Sequence, residues 1–182
     1  MNFIEQHIKG VWLIEPKVFT DQRGYFMESF KEDLFEQHIG DVKFIQDNES
    51  QSTRGVLRGL HYQTGEYSQA KLVRALKGSV LDVIVDIRKS SPTFGQSLAI
   101  ELSEINKLQL FVPRGFAHGF LVLEDETIFS YKVDNIYSPA HEATILWSDP
   151  TLKIDWNIDK DELVLSDKDK NGKLLSEAIL FD

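Results

Sequence analysis

The sequence predicts a mainly β fold, a sandwich or small barrel with few helices. Short runs with period-2 alternation recur along most of the chain. Glycine, proline or charged turns separate them at the spacing of sandwich and barrel proteins. One stretch alone has a clear helical period.

Taken in order, "VWLIEPKVF" and "GYFMESF" read as the first strands. In "SFKEDLFEQHIG", Phe30, Leu34, Phe35 and Ile39 fall near a helical period, and Gly40 supplies a C-terminal stop. Strand runs resume at "AKLVRAL" and at "GSVLDVIVDIRK", where Leu81, Val83, Val85 and Ile87 take one face and Val80, Asp82, Ile84 and Asp86 the other. "SLAIEL", "LQLFVP", "GFLVLED", "IFSYKV" and "EATILWS" continue the pattern, and "NGKLLSEAIL" reads as a second short helix. With no internal repeat, low-complexity segment or Ser/Pro-rich linker, residues 1–182 read as one domain.

Composition narrows the function. A chain of 182 residues, 42% hydrophobic, can bury a full core without staples. There is no cysteine, hence no disulfide framework and no thiolate chemistry. "MNFIEQHIKG" has neither the basic start nor the apolar run of a signal peptide, and no stretch approaches the ~20 apolar residues of a membrane helix, so a soluble, cytoplasmic protein is expected. A net charge of −9 and a pI near 5.0 argue against general nucleic-acid binding. They leave room for a phosphate-bearing small molecule held by local arginines.

Function must rest on residues that a strand pattern would not choose. In "GVLRGLHYQ", His61 shares its side of a strand with Leu57, Gly59 and Gln63, which suits a neutral core histidine as well as a buried base. A second histidine, His118, follows Pro113-Arg114-Gly115 in "VPRGFAHGF" at the spacing P-x-G-x-x-H, which resembles the second motif of cupin jelly rolls. The earlier H-x-H motif of metal-binding cupins is broken here, reading His61-Tyr62-Gln63. His7, His38 and His141 fall in the N-terminal segment, the helix and a turn. Transition metals take about three or more such ligands. No metal is therefore expected, and His61 is free to act as a base.

Seven blocks in order, "DQRGYFMESF", "FIQDNES", "GVLRGLHYQ", "KLVRALKGSVLDVIVDIRKSSPTFGQ", "LFVPRGFAHGFLVLEDE", "FSYKVDNIYSP" and "LSDKD", resemble the dTDP-4-dehydrorhamnose 3,5-epimerase family from about residue 10 to 170. The resemblance implies a cupin-like jelly-roll barrel of antiparallel strands with a few short helices. It also implies a homodimer, in which an N-terminal strand region exchanges with the partner, and an enzyme without metal or nicotinamide cofactor. The implied reaction converts dTDP-4-dehydro-6-deoxy-D-glucose to dTDP-4-dehydro-L-rhamnose in dTDP-rhamnose synthesis. Other readings are an epimerase of carbon 3 alone, a ketoisomerase, or a non-catalytic sugar-nucleotide-binding cupin.

Inverting a carbon beside a ketone needs a base, a stabilised enolate and an acid on the opposite face. Imidazole, with an ordinary pKa near 6.5, suits the first task. By resemblance His61 is the base, Asp169 in "LSDKD" its carboxylate partner and Tyr131 the acid. Read locally, Asp169 is a solvated charge and Tyr131, alternating with Phe129 and Val133, a core tyrosine. Lys71, with apolar Val73 and Ala75 on its side, would face the enolate oxygen. His118 and Asp82 either support the site or form a structural pair. The resemblance further assigns Arg23 and Arg58 to the diphosphate with Gln46 and Asn48 nearby, Phe26 and Tyr137 to the thymine faces, and Glu28 to its imide proton. Ile136 stands where the family pattern "NYYSP" has its first tyrosine.

Overall fold

The computed structural model describes Met1–Asp182, and its strands form two large antiparallel sheets and a separate hairpin. One sheet has six strands in the order β1 (Asn2–Glu5), β2 (Trp12–Glu15), β10 (Gln109–Val112), β7 (Lys71–Lys77), β12 (Thr127–Val133), β5 (Gln46–Ser52). The other has five, β13 (Glu142–Thr144), β6 (Leu57–Gln63), β11 (Phe116–Val122), β8 (Ser79–Asp86) and β9 (Ser97–Ser103). The hairpin pairs β3 (Val18–Asp21) with β4 (Gly24–Met27). This is the cupin-like jelly-roll arrangement expected from the sequence.

Side-chain alternation explains how the sheets are held. β8 is buried on both faces. Val80 and Ile84 join Val73, Leu110 and Phe129 of the six-stranded sheet in the core between the layers, whereas Val83, Val85 and Ile87 turn outward. That outer face is covered by the C-terminal segment through Leu152, Trp156, Leu163 and Phe181. The back of the six-stranded sheet is covered by α1 (Glu32–His38), whose Phe35 packs on Ile14, Leu72 and Phe111. Gly40, at φ +108°, closes that helix as expected. No helix is long and apolar enough to cross a membrane.

Four local expectations are corrected. "NGKLLSEAIL" forms only the 3-10 turn Leu175–Glu177, whereas the short helix α2 (Asp167–Lys170) lies in the charged stretch before it. "VWLIEPKVF" is two strands, because Glu15-Pro16-Lys17 breaks the ladder between β2 and β3. The strands β1 and β5 were not evident, the latter being polar throughout as "QDNESQS". Finally, Leu57 does not share a side with His61: it joins Leu60 and Tyr62 in the outer cluster. The change of side comes from a register shift against β11, where His118 pairs with His61 but Phe120 with Arg58.

Candidate active site

The register shift is what builds the site. Between the flanking pairs one residue of β11, Gly119, is matched by two of β6, Gly59 and Leu60, so Arg58 and His61 both reach the interior although an unbroken strand would separate them. Gly59 makes this possible. Its φ is +144°, and a Cβ there would lie 2.4 Å from the Cα of Gly119, so a side chain would force the strands apart. The interior at this level holds a pocket of about 250 Å³, with Arg58, His61 and His118 from the five-stranded sheet and Lys71, Tyr131 and Ser50 from the six-stranded one.

His61 is fixed by a residue 108 positions away: its Nε2 lies 2.7 Å from Asp169 Oδ1. Asp169 is buried, with both of its carboxylate oxygens engaged. Oδ1 also accepts from the Gly59 backbone N–H at 3.0 Å, and Oδ2 from the Ser166 hydroxyl at 2.5 Å. Burial pushes the Asp169 carboxyl up, but the hydrogen bonds from His61, Ser166 and Gly59 outweigh it and hold the value at about 2. An ionised Asp169 can only accept, so Nε2 of His61 carries the hydrogen and Nδ1 keeps a free lone pair. Burial of the imidazole lowers its pKa below 6.5 against the pull of Asp169, so His61 is neutral and basic near neutral pH.

The opposite sheet supplies the complementary groups. Tyr131 and Lys71 lie on adjacent strands, with Tyr131 opposite Val73 and Val133 opposite Lys71, a diagonal pair on the interior face. Lys71 Nζ is 6.0 Å from the Tyr131 ring centroid. Burial lowers the Lys71 ammonium to about 8, opposed chiefly by Asp82. Burial raises the Tyr131 phenol, with Arg58 acting against it. Behind them His118 Nε2 lies 2.8 Å from Asp82 Oδ2, while Asp82 Oδ1 is buried without a partner.

Among the residues singled out in the sequence, Arg58, His61, Lys71, His118 and Tyr131 come together in this pocket, and Asp169 stands directly behind His61. Asn48 is the cross-strand partner of Tyr131, and Gln46 Nε2 donates to Asn48 Oδ1 at 2.7 Å. Tyr137 is linked to the rim through its hydroxyl, 3.2 Å from Glu142 Oε2. Arg23 and Phe26 are not brought in. They line a separate hollow formed entirely by hairpin residues, where Arg23 pairs with Asp21, and Glu28 is exposed just beyond the hairpin. Sequence reasoning missed Glu142 and Lys168, which pair with each other at the pocket wall, and Ser166, which caps α2 and holds Asp169. A capping serine before "DKD" was the one available signal. No group of three or more His, Cys, Asp or Glu side chains is spaced to hold a metal ion.

Comparisons with known proteins place the chain in a family. The family profile described as dTDP-4-dehydrorhamnose 3,5-epimerase matches residues 5–177. The chain is 54% identical over 182 residues to the dTDP-4-dehydrorhamnose 3,5-epimerase of Shigella flexneri, covering 100% of this chain and 99% of that one. The crystal structure of the enzyme of that name from Elizabethkingia anophelis superposes with a TM-score of 0.94 at 48% identity, over 97% of each chain. That of dTDP-6-deoxy-D-glucose-3,5-epimerase from Legionella pneumophila, in complex with dTDP-4-keto-L-rhamnose, gives 0.93 at 47% identity, over 97% of this chain and 93% of that one.

Proposed function

The chain belongs to the dTDP-4-dehydrorhamnose 3,5-epimerase family, and on that premise we propose that it inverts carbons 3 and 5 of dTDP-4-dehydro-6-deoxy-D-glucose to give dTDP-4-dehydro-L-rhamnose, His61 taking the proton and Tyr131 returning one. A single observation carries the assignment of roles. The oriented imidazole and the phenol enter one small pocket from opposite sheets, as removal and return of a proton on opposite sugar faces require.

In this reading His61 Nδ1 removes the proton next to the keto group, and Asp169 stabilises the imidazolium that forms. Electron density moves to the ketone oxygen, where the Lys71 ammonium offsets the new charge. Tyr131 then protonates the carbon from the other side. Arg58 at the rim, with Gln46 and Asn48 nearby, suits the diphosphate, and His118 lines the sugar pocket. The proton-handling residues all come from one subunit, and no step requires a metal or nicotinamide.

The nucleotide end completes the reading. Phe19, Tyr25 and Phe26 are 52%, 56% and 65% exposed on a hairpin outside both sheets, an unusual concentration of uncovered aromatics. They fit a single-domain subunit that works as a homodimer, with the hairpin reaching a partner. There Arg23 would meet the diphosphate, Phe26 would stack on the thymine opposite Tyr137, and Glu28 would accept the imide proton. A cytoplasmic location belongs to this reading, since a nucleoside-diphosphate sugar does not cross membranes unaided.

The test is incubation with dTDP-4-dehydro-6-deoxyglucose in heavy water, counting the carbons that acquire deuterium. Exchange at carbons 3 and 5 is expected, whereas exchange at carbon 3 alone would make the protein a mono-epimerase. Tyr131→Phe is expected to lose inversion more severely than exchange at the first carbon attacked, because His61 can still return a solvent proton to the face it came from. Equal loss of both would mean that Tyr131 also stabilises the enolate.

A further inference from the structure

Inverting two carbons with one base and one acid creates a proton imbalance. After the first inversion His61 holds the proton taken from carbon and Tyr131 is a phenolate. The second inversion needs the reverse state. Both groups line one pocket of about 250 Å³, so where the second inversion outruns exchange with solvent, a pocket group has to return the proton from one wall to the other.

We propose that Lys71 resets the acid between the two inversions by giving an ammonium proton to the Tyr131 phenolate and then, as the neutral amine, taking the proton from the His61 imidazolium. The inference rests on the roles given above to His61 and Tyr131. It balances without a co-reactant. An N–H bond of Lys71 breaks as the phenol O–H forms, and a new N–H bond forms as the imidazolium Nδ1–H breaks. The enzyme returns to its starting state with no net gain or loss of protons.

Elimination among the groups lining the pocket supports Lys71. Arg58 cannot give up a proton in a protein. Lys168 is held in an ion pair with Glu142, and Glu142 also receives the Tyr137 hydroxyl. His118 is tied to the buried Asp82 carboxylate. Lys71 remains, on the same interior face as Tyr131 and with Nζ 6.0 Å from its ring. Its charge also acts on His61 across the pocket. The ordering of proton affinities runs the right way, His61 below 6.5, Lys71 about 8 and Tyr131 above 10. Each transfer is therefore downhill.

The test separates a movable proton from a fixed charge. Lys71→Arg keeps the cation but cannot donate. With enzyme in excess over substrate, rapid quenching should show the first inversion slowed only by what the displaced cation costs the enolate, and the second slowed well beyond that. The second inversion should slow by about 10²-fold or more, the scale of a lost general acid-base step, so that the mono-inverted sugar accumulates. Equal slowing of both inversions, or of neither, overturns the relay. Because arginine is bulkier, Lys71→Ala provides an independent measurement. Added ethylammonium should restore the second inversion and guanidinium, equally charged, should not; equal rescue by both overturns the relay. Failure of the underlying roles would look different: His61→Asn would then retain exchange at one or both carbons whatever the residue at position 71.

Discussion

Two imidazole–carboxylate pairs stand side by side in this fold, and they have different fates. His61 and His118 are cross-strand partners on β6 and β11, and each has Nε2 within 2.8 Å of a carboxylate oxygen, Asp169 and Asp82 respectively. The His61 side chain is 26% exposed and that of His118 is 6%. The carboxylates differ as well. Asp169 has both oxygens satisfied by His61, Ser166 and the Gly59 N–H, whereas Asp82 leaves Oδ1 buried and unpaired. Pairing alone therefore does not mark a base. On the roles proposed above, the greater exposure of the His61 side chain and a carboxylate engaged through both oxygens, which fixes the tautomer, distinguish the pair that moves a proton from the one that braces the wall.

The sharpest way to break this comparison is to remove each imidazole in turn. His61→Asn should reduce turnover by about 10²–10⁴-fold, the range for a lost general base, while the thermal midpoint stays close to wild type. His118→Asn should do the reverse in its primary effect, destabilising the fold by about 3–5 kcal/mol because it strands Asp82 in the interior. Calorimetry alongside steady-state rates decides it. A stable, inactive His118→Asn would show that the second pair also handles protons.

Exchanging carboxylates for amides comes next in size. Asp169→Asn can present its amide nitrogen to the imidazole, which then loses its preferred tautomer, and turnover should fall by about 10²-fold with nucleotide affinity unchanged. Asp82→Asn removes a buried charge with an unsatisfied oxygen and keeps an acceptor for His118, so its stability should equal or exceed that of wild type. Wild-type turnover in Asp169→Asn would return that residue to the ordinary surface charge its sequence context suggests.

That context shows where sequence ceased to be informative. The two faces of β8, the helix at Glu32–His38 and the inward side of Tyr131 were legible because each is set by local periodicity. Strand β5 was not, because an edge strand with one solvated face needs no apolar alternation. The inward turn of Arg58 depends on a bulge whose cause is the approach of Gly59 to Gly119, sixty residues on. Likewise the Glu142–Lys168 pair and the burial of Asp169 exist only after the C-terminal segment folds back on β6 and β13. For Asp169, Lys71 and Tyr131 the family resemblance supplied roles that composition and spacing could not.

Acid titration sharpens the comparison further. His61 has a folded pKa below its unfolded 6.5, so the unfolded chain takes the proton first and stability falls as pH drops below 6.5 toward the folded value. Asp169, at about 2 against an unfolded 3.8, contributes stability that is complete above 3.8 and lost as pH falls toward 2. This second window corresponds to about 2 kcal/mol. Denaturant melts across the acid range should show both losses, and in Asp169→Asn the second should shrink to the share of the other depressed carboxylates, chiefly Asp86, which is also held at about 2.

The smallest effect comes from making Asp169 resemble Asp82. Ser166 donates its hydroxyl to Asp169 Oδ2 and accepts from the Asp169 backbone N–H at 3.3 Å, so one side chain both caps α2 and satisfies the carboxylate. Ser166→Ala removes both bonds but leaves those from His61 and the Gly59 N–H to Oδ1. Loss of a cap and of a hydrogen bond to a charged group at a partly buried site should together cost about 1–2 kcal/mol of stability. With one lowering influence gone, the Asp169 pKa rises, and the acid stability loss should begin at higher pH than in wild type. Turnover should fall only a few-fold, about one hydrogen bond's worth of orientation, because Nε2 keeps its acceptor. If turnover instead falls as far as in Asp169→Asn, the engagement of both carboxylate oxygens is itself what makes this pair the working one. An unchanged acid profile would show that Oδ1 alone sets the ionisation of Asp169, and that the unpaired oxygen of Asp82 is no handicap to the second pair.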